Sequence, residues 1–290
     1  KKLDTVSVGY GLAPRLNACG RIGDVRLGLR LLVTEDPNEA MEIAQMLDAE
    51  NRNRQNIERQ IYEEAVAMVE KQGIRQQDGL IVVGEDWHPG VIGIVASRLV
   101  EQYYTPTIVL TKANGLYKGS GRSIEGFHLQ QALSQCSDIL ENYGGHSQAA
   151  GLGVAPEHLH EFRKRFAKLV SEGTTNDSFM PTLKIDAEIQ MGEINTDIYK
   201  EISRIEPTGT MNPTPVFVCR GQKTLEARTV GGNGDHLRIK LRSGQGDIFG
   251  IGFKKAELEP ITQEGSIDVA FCLDKNTYNG RTSLQMLIKD

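Results

Sequence analysis

The chain has 290 residues, a formal net charge of −5 and 39% hydrophobic residues, so it is long enough for about two domains with cores of their own. Its longest apolar runs are far shorter than the roughly 18 residues of a membrane helix, which excludes a spanning segment. The chain begins at Lys1 with neither an initiator methionine nor an apolar leader. We therefore expect no signal peptide, and we expect the later part of a longer protein.

The four cysteines are scattered and form no C-x-x-C pair, a pattern typical of neither a disulfide scaffold nor a zinc finger. They indicate a reducing, cytoplasmic setting. Counted by segment, the charge is −1 for residues 1–75, −3 for 76–179 and −1 for 180–290. If nucleic acid is the partner, it must therefore bind to local basic patches and not to the net field.

A single long helix is predicted in the first quarter of the chain. Asp36 and Pro37 are typical of an N-cap and a first helical residue, and neither glycine nor proline follows until Gly73. One helix of about 35 residues would span about 50 Å. Its middle, 48–56, contains nothing apolar larger than Ala49, which is typical of a helix that joins two bodies through solvent. A kinked helical hairpin is the alternative.

The sequence after Gly79 alternates between strand and helix patterns, which predicts a mixed sheet covered by helices. The predicted strands are 80–83, 107–110 and 116–119, and the predicted helices are 91–101, 129–133 and 157–170, with a glycine-rich stretch before the last helix. After a polar linker at 171–181 come a short helix near 196–205 and six strands, at 216–219, 225–230, 237–241, 248–253, 267–273 and 283–288. These short strands indicate a small barrel or sandwich.

Two polar motifs contain candidate phosphate contacts. Arg15 and Arg21 lie around a small-residue turn, and a guanidinium is a planar fork of donors that suits phosphate. Ser120, Arg122 and Ser123 lie in a Gly-Ser-Gly-Arg-Ser run at the end of a strand, where backbone N–H groups, hydroxyls and a guanidinium can converge. Arginines that cap a turn and a glycine-marked bulge are the structural alternatives.

Two histidines occur in settings that suit ligand binding. His88 stands in a Trp-His-Pro-Gly run immediately before a predicted helix, whose N-terminal N–H groups and dipole favour anions. His146 follows Gly144 and Gly145, which allow close backbone approach to a ligand. The alternatives are a histidine that only caps the helix and a buried core histidine.

One strand near the end of the chain is predicted to have a basic face. Polar and apolar residues alternate at 236–242, so one face holds His236, Arg238, Lys240 and Arg242 while the other is apolar. Such a face suits the phosphates of a single nucleic-acid strand. An ordinary solvated strand face is the alternative.

Together these motifs resemble the RecJ family of bacterial single-stranded-DNA-specific exonucleases over nearly the whole chain. The resemblance rests on segments 12–30, 86–98, 118–123 and 144–146 with 149–151, and on Asn51 and Arg54 of the long helix. It implies that 1–75 are the end of a DHH domain with a long interdomain helix and that 76–175 are a DHH-associated α/β domain with a mixed sheet. It also implies that 180–290 are an oligonucleotide-binding (OB) fold, so the fold class is α/β with a C-terminal OB barrel.

The resemblance also implies residue roles. Expected to bind substrate phosphates are Arg15, Asn17, Arg21, Ser120, Arg122, Ser123, Gly144 and Gly145, and expected to bind DNA on the barrel are His236, Arg238, Lys240 and Arg242. His88 and His146 are expected to face the scissile bond as catalytic residues. In this superfamily Mn²⁺ or Mg²⁺ is held by a DHH domain with an Asp-His-His run, which this sequence lacks. We therefore expect no metal ligand in this chain and no activity from the chain alone.

The implied activity is removal of mononucleotides from single-stranded DNA in the 5′-to-3′ direction, in DNA repair and recombination, by a full-length protein whose metal-binding domain lies upstream. Single-stranded DNA is the expected substrate, single-stranded-DNA-binding protein and recombination helicases are the expected protein partners, and no membrane is involved. Two alternatives stay open. One is a DHH-type phosphodiesterase of short oligoribonucleotides, and the other is a passive nucleic-acid-binding module.

Overall fold

The computed structural model describes residues 5–73, 75–209, 211–243, 246–263, 265–278 and 280–290. The chain divides into two compact units, of which one is Val6–Pro181 and the other contains Thr182–Asp290. The division into compact units does not separate the predicted domains 1–75 and 76–175, because the long helix packs within the first unit. That finer boundary stays a prediction. Across the described residues, no helix is long and apolar enough to cross a membrane.

Three helices open the first unit: α1 (Ala13–Ile22), α2 (Val25–Val33) and α3 (Pro37–Gln72). The Asp36 side chain caps α3 by accepting a hydrogen bond from the Asn38 N–H at 2.9 Å. Gly73 ends the helix in the left-handed region, at φ 60°. The single long helix is therefore confirmed, and the kinked hairpin is excluded.

The middle of α3 is packed on one face, whereas Arg52, Asn53, Gln55 and Asn56 are exposed. Asn51 is buried, and the paired side chains of Arg54 and Glu58 are only 12% and 13% exposed. Arg54 also donates to Asn51 Oδ1 at 2.7 Å. Arg98, on the next helix, reaches Glu58 at 3.4 Å and lies over the Tyr62 ring, 3.7 Å from its centroid. The predicted solvent exposure therefore holds for one side of the helix only, because Asn51, Arg54 and Glu58 share the other face and pair there.

A five-stranded mixed sheet follows, in the order β1-β2-β3-β5-β4. Its strands are β1 (Leu80–Gly84), β2 (Thr107–Ala113), β3 (Leu116–Arg122), β4 (Leu140–Gly145) and β5 (Ala149–Val154). β1 and β2 are parallel, and the other pairs of this sheet are antiparallel. Helix α4 (Ile92–Tyr103) and α3 pack on one face, whereas α5 (Leu129–Ser134) and α6 (Leu159–Gly173) cover the other. The predicted mixed α/β fold is confirmed.

The hairpin of β4 and β5 lies where the sequence indicates only a glycine-rich stretch. Glycine is usually depleted in strands, but here bare backbone is required by close neighbours. A Cβ on Gly145, at φ 147°, would lie 2.3 Å from the Ala149 carbonyl oxygen, and one on Gly153 would lie 2.8 Å from the Asn142 amide. Steric fit in the sheet therefore outweighs strand propensity at these positions.

The second unit is a β-barrel. Its elements are β6 (Ala187–Glu188), α7 (Thr196–Ser203), β7 (Phe217–Val230), β8 (His236–Ser243), β9 (Gly246–Gly252), β10 (Ser266–Tyr278) and β11 (Arg281–Ile288). Pairing runs β7-β8-β9-β11-β10 and returns from β10 to β7, so the sheet closes on itself. β7 is one strand of 14 residues and not two short ones. Gly221, at φ 64°, lies at the irregularity in its pairing with β10, and the pairing with β8 begins at Thr224. The predicted C-terminal barrel is confirmed.

Candidate nucleic-acid-binding site

In the first unit, the end of α1 meets the start of α4. A Cβ on Gly90, which precedes α4, would lie only 2.2 Å from the Arg21 carbonyl oxygen. The side chain of Arg21 also contacts this glycine, since its Nη1 donates a hydrogen bond to the Gly90 carbonyl oxygen at 3.1 Å. Only glycine permits this approach, so Gly90 fixes the position of Arg21 beside the first turn of α4.

Arg122 reaches the same turn of α4 from the sheet. The register pairs Arg122 with Thr107 and Ser120 with Val109, which places both side chains on the face that α4 covers. Arg122 Nη1 donates to Ser120 Oγ at 3.0 Å and to the Gly121 carbonyl at 2.7 Å. A Cβ on Gly93 would lie 2.9 Å from Ser120 Oγ and 3.1 Å from Arg122 Nη2. The guanidinium therefore lies against bare helix backbone.

Arg21, Gly90, Gly93, Ser120 and Arg122 form what we call the arginine cluster. Burial lowers the pKa of the Arg122 guanidinium from its ordinary value, and the nearby charge of Arg21 lowers it further. Among the described residues, neither arginine has a carboxylate partner. Two neighbouring cations without a counter-ion, beside a helix N-terminus, favour the binding of an anion such as phosphate.

Arg15 and Asn17 are not part of this cluster. Arg15 Nε pairs with Asp48 of α3 at 2.8 Å, and its Nη1 donates to the Gly11 carbonyl at 2.7 Å. The ion pair joins α1 to α3. The predicted small-residue turn is wrong, because residues 13–22 form a helix. Asn17 is exposed on α1.

His88 is used in the turn before α4. Its Nδ1 accepts a hydrogen bond from the Gly90 N–H at 3.1 Å, and its carbonyl accepts one from the Val91 N–H at 2.9 Å. Trp87 beside it is buried and donates its indole N–H to Glu64 Oε2 at 2.7 Å, a bond that lowers the pKa of that carboxyl. The His88 side chain therefore holds the turn before α4 and does not cap the helix itself.

Ser123 and His146 lie near the ends of β3 and β4. Ser123 is buried and its Oγ donates to the Phe127 carbonyl at 2.8 Å, so its hydroxyl holds a loop and is not presented to a ligand. His146 is exposed, and its backbone N–H donates to the Ala149 carbonyl at 2.7 Å. Arg122 pairs with Ala149 across the ladder, so the backbone at His146 lies at the same sheet edge as the end of β3. Gly144 and Gly145 are exposed beside it.

The basic face of β8 is present but partly neutralised. As predicted by the alternation, Leu237, Ile239 and Leu241 are buried in the barrel core, whereas His236, Arg238, Lys240 and Arg242 are on the other face. Asp247 of β9 pairs with Lys240 at 2.7 Å and with Arg242 at 3.2 Å, and the bond from Lys240 lowers the pKa of this carboxyl. The predicted face of β8 therefore exists, and the neighbouring strand adds an acid that partly neutralises it.

An aromatic residue that sequence patterning missed lies on this face. The guanidinium carbon of Arg238 lies over the Phe249 ring, 4.3 Å from its centroid, and Lys240 Nζ is 5.8 Å away. The surrounding Ile248 and Ile251 are also apolar, so alternation alone does not indicate which side of β9 faces out. Only the pairing of Phe249 with Lys240 decides it.

The described residues do not fit a metal centre. Across them, no group of three or more His, Cys, Asp or Glu side chains could hold an ion. Glu85, Asp86 and Asp235, the acids nearest to motif histidines, are exposed.

Residues 76–172 match the family model described as the DHHA1 domain, and residues 185–290 match the RecJ OB domain. The fold therefore defines a protein of the DHH phosphoesterase class that carries an OB barrel. The chain belongs to the RecJ family and corresponds to the C-terminal portion of its members.

Several relatives support this assignment. The chain is 37% identical over 287 residues to the single-stranded-DNA-specific exonuclease RecJ of Bacillus subtilis, covering 98% of this chain and 36% of that protein. It is 34% identical over 300 residues to RecJ of Escherichia coli, covering 99% and 51%. The solved structure of RecJ from Thermus thermophilus with Mn²⁺ matches with a TM-score of 0.83 at 27% identity, over 99% of this chain and 41% of that one. The chain thus spans about half or less of these relatives.

Proposed function

We propose that this chain is the substrate-binding portion of a metal-dependent exonuclease that removes mononucleotides from single-stranded DNA in the 5′-to-3′ direction, in DNA repair and recombination. The names of its relatives support the reaction class. The metal ligands would belong to sequence outside these 290 residues. This chain would bind and orient the substrate.

The observation that carries the proposal is the arginine cluster. Arg21 and Arg122 are held beside the start of α4 without a carboxylate partner among the described residues, and Ser120 supplies a hydroxyl. A guanidinium fork can hold two phosphate oxygens at once, and a partly desolvated one gains more from such a bond than one in water. We assign the cluster to one phosphate of the DNA backbone.

A divalent metal ion is part of the proposal because solved structures of a relative contain one. Structures of the Thermus thermophilus protein contain Mn²⁺ in one case and Mg²⁺ in another. Such ions, when bound, lower the pKa of a water nucleophile and stabilise developing charge. Within this chain, His146 stays our candidate for a group that faces the scissile bond, whereas His88 positions the turn that carries Gly90.

Neither rival function gains support. A phosphodiesterase of short oligoribonucleotides does not account for the matched OB domain, and a passive binding module does not account for a DHHA1 domain joined to it. Single-stranded-DNA-binding protein and recombination helicases stay proposed partners. A cytoplasmic location also stays a proposal, supported by four cysteines that are all free.

The test is binding of the chain to 5′-phosphorylated single-stranded oligonucleotides, followed by fluorescence anisotropy. Arg122→Ala should weaken binding about tenfold or more, because a hydrogen bond to a charged group contributes about 1.5–3 kcal/mol. Arg122→Lys, which keeps the charge but loses the fork, should also be impaired. Arg26→Ala is the matched control, since Arg26 is an 86% exposed side chain paired with Asp24.

Thermal unfolding of each variant checks that the fold is intact. If Arg122→Ala remained folded and bound DNA as tightly as the wild type, the phosphate assignment would be wrong. Equal losses of DNA affinity in Arg122→Ala and Arg26→Ala would mean that the effect comes from net charge alone. That result would also contradict the phosphate assignment.

A further inference from the structure

The chain contains a single tryptophan, Trp87, and three different elements hold it. Its ring packs against bare backbone at the end of β1, where a Cβ on Gly84 would lie 2.2 Å from the indole carbon Cδ2. The buried hydroxyl of Thr111 on β2 donates a hydrogen bond to the Trp87 carbonyl oxygen at 2.7 Å. Trp87 is only 6% exposed, so packing fixes its position.

The third contact of Trp87 is with the long helix α3. The indole Nε1 donates to Glu64 Oε2 at 2.7 Å, and Gln60 Nε2 donates to Glu64 Oε1 at 3.0 Å. Gln60 lies one helical turn before Glu64, so its bond orients the carboxylate. A buried indole N–H needs an acceptor, and Glu64 supplies it from a distant part of the chain.

The turn that carries Gly90 follows Trp87 directly. Hydrogen bonds close this turn, from the Gly90 N–H to His88 Nδ1 at 3.1 Å and from the Val91 N–H to the His88 carbonyl at 2.9 Å. At the end of the turn, the Gly90 carbonyl accepts the bond from Arg21 Nη1 at 3.1 Å. A displacement of Trp87 would therefore move the group to which Arg21 is bonded.

We propose that Glu64 is a positioning residue for DNA binding, because it fixes the turn at 87–90 through the indole of Trp87 and thereby the guanidinium of Arg21. A carboxylate repels phosphate, so Glu64 does not act by contact with the DNA. Helix α3 thus takes part in phosphate binding although it contributes no residue to the arginine cluster. The inference rests on the proposed function and adds a residue that sets the geometry of the phosphate site.

The direction of the effect distinguishes positioning from plain electrostatics. Removal of a carboxylate makes the chain less negative, which by itself should tighten the binding of a polyanion. If Glu64 positions Arg21, its removal should instead weaken binding. Glu63 has the same charge and is also exposed on α3, so Glu63→Ala measures the electrostatic effect alone.

The experiment measures binding of the full chain to a 5′-phosphorylated single strand by anisotropy, in Glu64→Ala, Glu64→Gln, Trp87→Phe and Glu63→Ala. Glutamine keeps a side-chain carbonyl that can accept from the indole, and phenylalanine keeps a ring against Gly84 but has no N–H donor. Fluorescence emission of the single tryptophan reports on the surroundings of the indole. Thermal unfolding checks the fold, and alanine at an exposed helix position should preserve it.

Glu64→Ala and Trp87→Phe should each weaken binding about fivefold, whereas Glu64→Gln should stay within about twofold of the wild type, since remote contacts modulate a site by such amounts. Tryptophan emission should shift in Glu64→Ala and not in Glu63→Ala. The double variant of Glu64→Ala with Arg21→Ala should bind no more weakly than Arg21→Ala, because both changes act on one contact.

Unchanged or tighter binding by folded Glu64→Ala, an equal loss in Glu64→Gln, or full additivity with Arg21→Ala would overturn the positioning role. An unchanged emission spectrum in Glu64→Ala would also overturn it, because the indole bond would then be absent in solution. The proposed function is judged separately. If Arg21→Ala and Arg122→Ala lost affinity while Glu64→Ala did not, the function would stand and this inference would fail. If neither arginine variant lost affinity, both would fail.

Discussion

Gly93→Ala tests the arginine cluster directly, because it should lower DNA binding while the protein stays folded. The added Cβ would lie 2.9 Å from Ser120 Oγ and 3.1 Å from Arg122 Nη2, so the flexible guanidinium has to move. Alanine in a helix is favoured over glycine by up to about 1 kcal/mol, so the fold should be unharmed. Loss of one charged hydrogen bond to phosphate should weaken binding by about 1.5–3 kcal/mol, tenfold or more.

The assay pairs thermal unfolding with anisotropy on a 5′-phosphorylated single strand. Gly20→Ala in α1 is the matched control, since its Cβ would meet only Val25 at an ordinary 3.7 Å. A double-mutant cycle with Arg122→Ala gives the decisive comparison. If Gly93→Ala acts through Arg122, it should add almost nothing in that background. Full additivity, or normal binding by Gly93→Ala, would refute the argument that Gly93 exists to make room for the guanidinium.

Three further outcomes are expected. With Mn²⁺ or Mg²⁺ the chain alone should release no mononucleotides from end-labelled single-stranded DNA, because its described residues offer no metal site; release that survived repurification would refute this. Asp247→Asn should free Lys240 and Arg242, so the slope of log K against log salt concentration should steepen by up to about 1.4, at about 0.7 per phosphate contact. Asp197→Asn on α7 is the charge-matched control, and equal slopes for the two variants would contradict the expectation. Glu58→Gln should lower the free energy of unfolding by about 3 kcal/mol in urea titrations, because it leaves the nearly buried Arg54 beside Arg98 without a negative charge. A loss below about 1 kcal/mol would mean that the ion pair of Arg54 and Glu58 is effectively solvated.

Local chemistry allowed parts of the fold to be predicted from residues alone. The ends of α3 follow from Asp36, whose side chain satisfies a free N–H, and from Gly73, which accepts a left-handed conformation at low cost. The two faces of β8 follow from strict alternation, because successive strand side chains point in opposite directions. The resemblance of the motifs indicated the family, and the relatives confirm it.

Other features depend on which elements become neighbours, and a linear pattern does not contain that information. The polar middle of α3 looks solvated until Glu58 meets Arg98, and the basic face of β8 looks unopposed until β9 brings Asp247 beside it. The grouping of Arg21 with Arg122, a hundred residues apart, requires both Gly90 and Gly93 to admit close contact. Sequence determined the local conformations and the chemical types of this protein, whereas tertiary packing decided which charges are free, since a charge is neutralised by neighbours in space and not along the chain.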